Sequence, residues 1–181
     1  MSRPMGAVLF SLALLLLAAC LPAQPILVTD QPSPEIVYPA IHPTPTDALC
    51  HYADQVLPDP VCTPGVTDPA VTQQTIAQTI CQSGYTSLIR PPTEYTDRVK
   101  TERLRAYGQS PVNRSRYELD HLIPLELGGS PSDVGNLWPE PQPSYRDKDR
   151  IENELHAAVC AGRVLLADAQ QRIVHDWRSA R

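Results

Sequence analysis

The sequence has few of the residues on which several classes of protein depend. Among 181 residues there is one phenylalanine and there are 20 prolines, which argues against a uniform globule. Residues 20–89 contain no lysine or arginine, so a basic surface for phosphate groups can come only from residues 90–181. The chain has no Cys-x-x-Cys pair, internal repeat or nucleotide-binding glycine loop, so nothing in it indicates a zinc ribbon or a nucleotide-binding fold.

The amino terminus is typical of an export signal. Arg3 precedes an apolar run at residues 7–19 that is too short to span a bilayer and suits the core of a signal peptide. The run ends in Leu-Ala-Ala-Cys, which resembles the lipobox of bacterial lipoproteins, in which the cysteine, here Cys20, is lipidated. The sequence therefore predicts a lipoprotein-type signal peptide at residues 1–19 and an extracytoplasmic bacterial protein attached to the envelope membrane through Cys20. The alternative is a plain cleaved signal, which would give a secreted or periplasmic protein.

A proline-rich stretch separates this signal from the rest of the chain. Residues 21–64 contain ten prolines and no regular apolar repeat. Such a stretch cannot bury enough apolar surface to offset its ordering entropy. It predicts an extended tether at residues 20–62 and a folded domain at residues 63–181. A docking sequence for a partner is the alternative interpretation of the tether.

Four cysteines remain when Cys20 is set aside as the lipid carrier: Cys50, Cys62, Cys81 and Cys160. An even number in an oxidising compartment predicts two disulfide bonds, for which three connectivities exist. We favour Cys50 with Cys62, because that loop is short, and Cys81 with Cys160, which would join the start of the domain to the end of its central helix.

Apolar periodicity predicts the regular elements of the domain. Residues 71–81 are compatible with a short helix, and residues 86–90 resemble a strand. A helix with Thr96 as its N-cap ends at Gly108. Two later helices, at residues 144–160 and 166–178, carry apolar stripes with the spacing of one helix face. Their predicted core residues are Ile151, Leu155, Ala158 and Val159 in the first helix, and Leu166, Ala169, Ile173 and Trp177 in the second.

The most informative stretch is residues 117–140, which read YELDHLIPLELGGSPSDVGNLWPE. Residues 117–123 alternate in the pattern of a half-buried strand. Gly128 and Gly129 supply positive-φ positions for a turn, after which a second short strand near residues 136–138 can return beside the first. A helix follows, so the local order is strand, loop, strand, helix.

This order, with Asp120 and His121 leaving the first strand and Asn136 opening the second, resembles the ββα-metal (His-Me finger) nucleases, specifically the HNH group. The resemblance covers residues 118–154. It implies a small, mostly helical α+β domain around a ββα-metal core, here with disulfides. It also implies that His121 is the general base, that Asp120 helps to hold a divalent metal, and that Asn136 braces the loop. A wider stretch, residues 62–178, is similar to a family of secreted bacterial proteins.

The helix after the two strands offers acids in place of the family's third site residue, which has no clear counterpart here. Asp149 and Glu152 share a helix face that can turn toward Asp120, as oxygen ligands of Mg²⁺ would. We therefore predict a metal site of Asp120, Asp149 and Glu152, with Mg²⁺ as the cofactor. The alternative is a solvated stripe in which Glu152 pairs with Lys148 or Arg146.

Charge is unevenly distributed along the chain. The net charge of −5 alone argues against a nucleic-acid binder. However, residues 90–116 contain seven basic and three acidic side chains, and they run directly into the first strand. Phosphate contacts beside a phosphodiester-cleaving site would have this distribution, as would a solvated helix face. Arg114 or Arg116 could add positive charge to the transition state, and DNA or RNA is the predicted substrate.

These inferences support one leading function and two alternatives. The leading expectation is metal-dependent phosphodiester hydrolysis by an HNH-like endonuclease, in which His121 takes a proton from the attacking water. The first alternative is a catalytically inactive, lipid-anchored envelope protein that uses the same fold as a binding scaffold. The second is a secreted toxin or defence factor built on the nuclease core.

Overall fold

The computed structural model describes residues 50–181. The predicted signal peptide, Cys20 and residues 20–49 of the predicted tether lie outside the described residues. Helices pack around a two-stranded antiparallel sheet, which confirms the α+β class. The main elements are α1 (Tyr85–Ile89), α2 (Thr93–Ala106), β1 (Tyr117–His121), β2 (Leu137–Pro141), α3 (Tyr145–Cys160) and α4 (Leu166–Asp176). Short 3₁₀ helices lie at Ile76–Gln78, Pro111–Arg116, Leu125–Leu127, Val134–Asn136 and Trp177–Ser179.

The hairpin of β1 and β2 lies between two helices because its two faces carry different side chains. Leu119 of β1 and Leu137 of β2 share one face and pack against Tyr95 and Val99 of α2. The opposite face turns Asp120 toward α3, where a lysine pairs with it. The alternation predicted for the first strand therefore places apolar contacts on one side of the hairpin and charged groups on the other.

The larger core forms among α3, α4 and the hairpin. Buried residues recur every three or four positions along both helices, so each helix presents one apolar face, as predicted. Burial of each such side chain contributes roughly 1.5–3 kcal/mol. Of the residues predicted for this core, only Ala158 is half-buried rather than buried. The buried set is Trp138, Ile151, Leu155, Val159, Leu166, Ala169, Ile173 and Trp177.

Residues 50–62, which the sequence assigned to the tether, pack on the domain. The backbone N–H of Cys50 donates to the carbonyl of Ala106 at 2.8 Å, and the hydroxyl of Tyr52 donates to the carbonyl of Pro139 at 2.7 Å. The ring of Tyr52 lies 5.0 Å from that of Tyr107. The folded part of the chain therefore includes residues 50–62, because a few side chains make long-range contacts that a count of prolines does not reveal.

Both favoured disulfide pairs are confirmed. Cys50 is bonded to Cys62, 12 residues away, and Cys81 is bonded to Cys160, 79 residues away at the end of α3. Two disulfide bonds are typical of proteins that fold outside the cytoplasm. Within residues 50–181, no helix has the length and apolar character needed to cross a membrane.

Two predicted elements are wrong. Residues 71–81 contain only the 3₁₀ helix Ile76–Gln78, and residues 86–90 belong mostly to α1 rather than to a strand. A strand needs a partner, and among residues 50–181 the sheet consists of β1 and β2 alone. Leu88, in the middle of this segment, is 81% exposed.

The start of α2 also differs from the prediction. The helix begins at Thr93, immediately after Pro92, whose fixed φ of −65° leads into the first turn. Thr96 is therefore inside the helix, where its hydroxyl donates to the carbonyl of Thr93 at 3.0 Å. The predicted end is close to the observed one, because Gly108, with φ of 66°, follows the last turn.

Candidate active site

The loop between β1 and β2 is held by one fully buried side chain, that of Asn136. Its Oδ1 accepts from the backbone N–H of Ile123 at 2.9 Å, and its Nδ2 donates to the carbonyls of Ile123 and Ser130 at 2.9 and 3.0 Å. Gly129 permits this close approach, because a Cβ there would lie 1.7 Å from the carbonyl oxygen of Ile123. Gly128, by contrast, is required for its positive φ of 74°. Asn136 therefore joins the start of the loop, at Ile123, to its later part, at Ser130.

His121 is the last residue of β1 and is almost completely buried. Neighbouring residues on a strand point to opposite faces, yet Asp120 and His121 both line one cleft at the end of β1. The ring Nε2 of His121 lies 3.0 Å from the carbonyl oxygen of Pro131. A carbonyl oxygen can only accept, so Nε2 carries a proton and Nδ1 is the basic nitrogen of the neutral ring. Burial lowers the pKa of His121, which favours this neutral form.

A polar cleft of about 260 Å³ lies where β1, the following loop and α3 meet. The cleft brings together the predicted general base and all three predicted metal-binding acids. It also contains one arginine and two acids that the sequence did not single out for the site. Its polar lining includes Arg90, Glu118, Asp120, His121, Glu126, Asp149, Glu152 and Asn153.

Lys148 of α3 lies directly behind this cleft and is 1% exposed. Its ammonium forms ion pairs with Oδ2 of Asp120 at 2.6 Å and with Oε1 of Glu152. It also donates to the backbone carbonyl of His121 at 2.9 Å. Burial alone would lower the pKa of Lys148, but the attraction of Asp120 and Glu152 outweighs burial and raises it, so the side chain is charged.

The carboxylates around Lys148 are crowded. Burial raises the pKa of Glu152 to about 7, against the opposing attraction of Lys148. Burial and the charge of Asp120 raise the pKa of Asp149, and burial followed by the charges of Asp120 and Asp149 raises that of Glu118. Burial is the largest cause of each of these pKa shifts; the charges of neighbouring acids add to it, and Lys148 offsets it only in part.

Glu140 of β2 is the most strongly perturbed acid. Its side chain is wholly buried, and neither carboxyl oxygen has a well-formed hydrogen bond within residues 50–181, although Ser144 and Asp120 lie close enough to influence it. Burial and the charge of Asp120 raise the pKa of Glu140 to about 9. Glu140 is therefore a neutral carboxylic acid at neutral pH.

The predicted metal site is not assembled as the sequence suggested. The ligand oxygens of Asp120, Asp149 and Glu152 do not form a group within 4.8 Å of one another in the part of the chain that the structure describes. Two of these three acids are instead paired with Lys148. Glu152 pairs with Lys148, as the alternative interpretation held, but the pair is buried and not part of a solvated stripe. The three acids therefore do not fit a shared divalent cation in this arrangement, in which Lys148 is paired with both Asp120 and Glu152.

A different group of side chains has metal-binding spacing. Ligand atoms of Cys81, His156 and Cys160 all lie within 4.8 Å of one another and could hold a metal ion. Thiolates are the form of cysteine that binds metals, and here the two sulfur atoms are bonded to each other. Metal binding by this group would therefore require reduction of the disulfide bond.

The predicted role of Arg116 does not match its position. Arg116 is exposed and does not line the cleft, whereas Arg90, just after α1, does. Arg114 forms an ion pair with Asp97 at 2.5 Å on the surface. Arg103, counted among the seven basic residues, is buried and donates to the carbonyls of Leu137 and Cys62 and to Oγ1 of Thr63. The basic residues of this stretch therefore have three different locations. Arg114 and Arg116 lie on the surface, Arg90 lines the cleft, and Arg103 is buried in structural hydrogen bonds.

Comparison with known proteins gives no match to a family model, a curated protein or a solved structure. The functional interpretation therefore depends on the geometry of the cleft.

Proposed function

We propose that the protein hydrolyses phosphodiester bonds and that His121 is the general base for the attacking water. The observation that carries this proposal is the hydrogen bond between Nε2 of His121 and the carbonyl of Pro131. It leaves Nδ1 as the proton acceptor of a histidine that lines a polar cleft. General-base catalysis of this kind typically contributes about 10²- to 10⁴-fold. The strand–loop–strand–helix order supports a ββα-metal, HNH-like core.

The supporting residues have distinct tasks in this proposal. Asn136 fixes the loop that carries Pro131, and so it holds the acceptor of the His121 hydrogen bond in position. Arg90 is the cleft residue that can contact a phosphate oxygen. Arg98 and Arg105 are exposed on α2 and extend the positive charge over the surface, which favours DNA or RNA as the substrate.

The predicted dependence on Mg²⁺ is kept as a testable part of the proposal. Five carboxyl groups line the cleft, so an anionic substrate enters it against their repulsion unless cations are added. The paired state of Asp120 and Glu152 provides no ready-made site for that cation, and no step of the proposed reaction is assigned to it.

Attachment of the protein to the bacterial envelope membrane through a lipid on Cys20 belongs to the same proposal. It would place the cleft in an extracytoplasmic compartment, where the two disulfide bonds persist. Labelling with a radioactive fatty acid should mark the parent protein and not a Cys20→Ser variant. Equal labelling of both would contradict lipidation at this residue.

The decisive test is a nicking assay with the purified chain and intact disulfides. We expect it to nick plasmid DNA or degrade RNA with Mg²⁺ or Mn²⁺, and not with a chelator. His121→Gln retains a group that can donate to Pro131 but removes the base, so it should lose activity with little change in the thermal midpoint. His175→Ala, at an exposed histidine of α4, is the matched control and should remain active. If His121→Gln cleaves as fast as the parent, the catalytic role is wrong.

One observation favours a second candidate, a binding scaffold without chemistry. Lys148 already neutralises part of the acidic cluster, so these acids are satisfied without a catalytic cation. A purified protein that does not nick nucleic acids under any divalent salt, while the parent and His121→Gln remain equally folded, would support this candidate.

A further inference from the structure

The disulfide bond between Cys81 and Cys160 has a histidine beside it. A ring nitrogen of His156 and the two sulfur atoms all lie within 4.8 Å of one another. His156 and Cys160 are four residues apart on α3, so their side chains share one face of the helix, and the disulfide bond brings Cys81 to the same place. Two thiolates and one imidazole are the ligands of a class of Zn²⁺ site that leaves a fourth position for water.

The ring of His156 is oriented as in a metal-binding histidine. Its Nε2 lies 2.9 Å from the carbonyl oxygen of Ile80, which can only accept, so Nε2 carries the proton. Nδ1 therefore has the free lone pair. It lies 3.7 Å from Oε2 of Glu126, beyond the length of a hydrogen bond, so the lone pair is not engaged there. Metal-binding histidines almost always donate their second ring N–H in this way, because the hydrogen bond fixes the tautomer and the ring.

The two disulfide bonds differ in how easily a reductant reaches them. Cys160, the last residue of α3, is exposed, and Cys81 is half-buried in a turn. In the other pair, Cys50 is buried and Cys62 is half-buried. A dithiol therefore attacks the sulfur of Cys160, which forms a mixed disulfide while Cys81 leaves as a thiolate. The second thiol of the reductant then displaces Cys160, so the reductant is oxidised to its own disulfide and the protein gains two thiols.

Reduction also lets the sulfur atoms separate as a metal ion requires. Two thiolates that bind one zinc ion at about 2.3 Å in tetrahedral geometry stand about 3.8 Å apart. Cys81 lies in a turn and Cys160 at the end of a helix, so neither cysteine is held in the middle of a regular element once the bond is open. Zinc binding releases the two thiol protons, and the charge of the two thiolates then balances that of the ion.

We propose that Cys81, Cys160 and His156 form a zinc site that is closed while the disulfide bond is intact and opens when a dithiol reduces it. In the reduced protein the zinc ion replaces the disulfide bond as the link between the turn at Cys81 and the end of α3. The inference goes beyond the proposed function, because it concerns other residues and no hydrolysis.

The test is a Zn²⁺ titration of the full chain before and after reduction with dithiothreitol, which is removed before the metal is added. Every form carries Cys20→Ser, so that this cysteine provides no thiol. The reduced parent should bind one Zn²⁺ at least about 100-fold more tightly than the oxidised protein. His156→Gln, which can still donate to the Ile80 carbonyl, should weaken this binding at least about tenfold. His175→Gln, at an exposed histidine of α4, is the matched control and should bind like the parent.

Two measurements on the reduced parent identify the ligands without a substitution. Co²⁺, used in place of Zn²⁺, should give the absorption of a cobalt–thiolate bond, and Zn²⁺ should protect Cys81 and Cys160 from alkylation. Protection of Cys50 and Cys62 instead would overturn the proposal, as would equal affinity in the reduced parent and reduced His156→Gln. A reduced chain whose circular dichroism is that of an unfolded protein, and is not restored by Zn²⁺, would also overturn it. None of these measurements uses hydrolysis, so they are independent of the nicking assay.

Discussion

The bracing of the active-site loop by Asn136 can be tested by its removal. Asn136→Ala leaves two buried backbone groups, the N–H and carbonyl of Ile123, and the half-buried carbonyl of Ser130 without their partner. An unsatisfied buried group costs about 1–3 kcal/mol, so the two Ile123 groups at about 1.5 kcal/mol each give a loss of about 3 kcal/mol. In a domain of this size, that corresponds to a fall in the thermal midpoint of roughly 10 °C.

The assay is urea unfolding followed by circular dichroism, with the disulfides intact. Asn113→Ala is the matched control, because Asn113 is exposed on the 3₁₀ helix Pro111–Arg116. It should change the free energy of unfolding by less than about 0.5 kcal/mol. We also expect Asn136→Ala to lose nicking activity, because the Pro131 carbonyl moves with the loop. If Asn136→Ala costs no more than the control, the loop is held by other contacts and the reasoning fails.

Three further predictions concern stability. Replacing Cys81 and Cys160 by serine should lower the free energy of unfolding by about 4 kcal/mol. Replacing Cys50 and Cys62 should lower it by about 3 kcal/mol, because the shorter loop restricts the unfolded chain less. Equal losses in urea unfolding would contradict this order. Glu140 has a folded pKa of about 9, above its ordinary value of 4.5, so its contribution to stability is fully present below pH 4.5 and is lost as pH rises toward 9. Unfolding of Glu140→Gln should therefore depend less on pH across this window, and an unchanged slope would show that Glu140 ionises normally. Gly129→Ala should prevent native folding, because its Cβ would overlap the Ile123 carbonyl. Gly108→Ala has open space around its Cβ and should cost only about 1–2 kcal/mol, because its backbone is left-handed. Similar thermal midpoints for the two variants would refute the close contact at Gly129.

Local patterns in the sequence were sufficient for much of the fold. The alternation in β1, the apolar faces of α3 and α4, and the pairing of four cysteines are visible along the chain and are confirmed. The interpretation failed where the structure depends on partners distant in sequence. Residues 86–90 have a strand-like composition, but no second strand lies beside them among the described residues, so they form part of α1.

The same limit applies to the candidate site: local patterns identify some of its residues, whereas contacts between residues distant in sequence cannot be predicted. The residues His121, Asp120 and Asn136 were selected from one short stretch, and the structure places the first two in a cleft and the third beneath the loop. Lys148 was considered only as the i+4 partner of Glu152. Its contact with Asp120, 28 positions away, has no signal in the sequence because it depends on how α3 docks on the hairpin. In the sequence, Arg90 likewise could not be distinguished from the other six basic residues of its stretch. The fold places it at the cleft.

The disulfide bond between Cys50 and Cys62 affects how the domain responds to mechanical load. Among the described residues, a pull applied at Cys50 loads its backbone N–H, which is hydrogen-bonded to the carbonyl of Ala106 at the end of α2. The disulfide bond carries this force directly to Cys62, so the residues between the two cysteines bear no tension. Beyond it, Arg103 joins the Cys62 carbonyl to β2. A pull applied at Cys50 is therefore carried to the junction of α2 and β2, on the side of the hairpin opposite Lys148 and the acidic cleft.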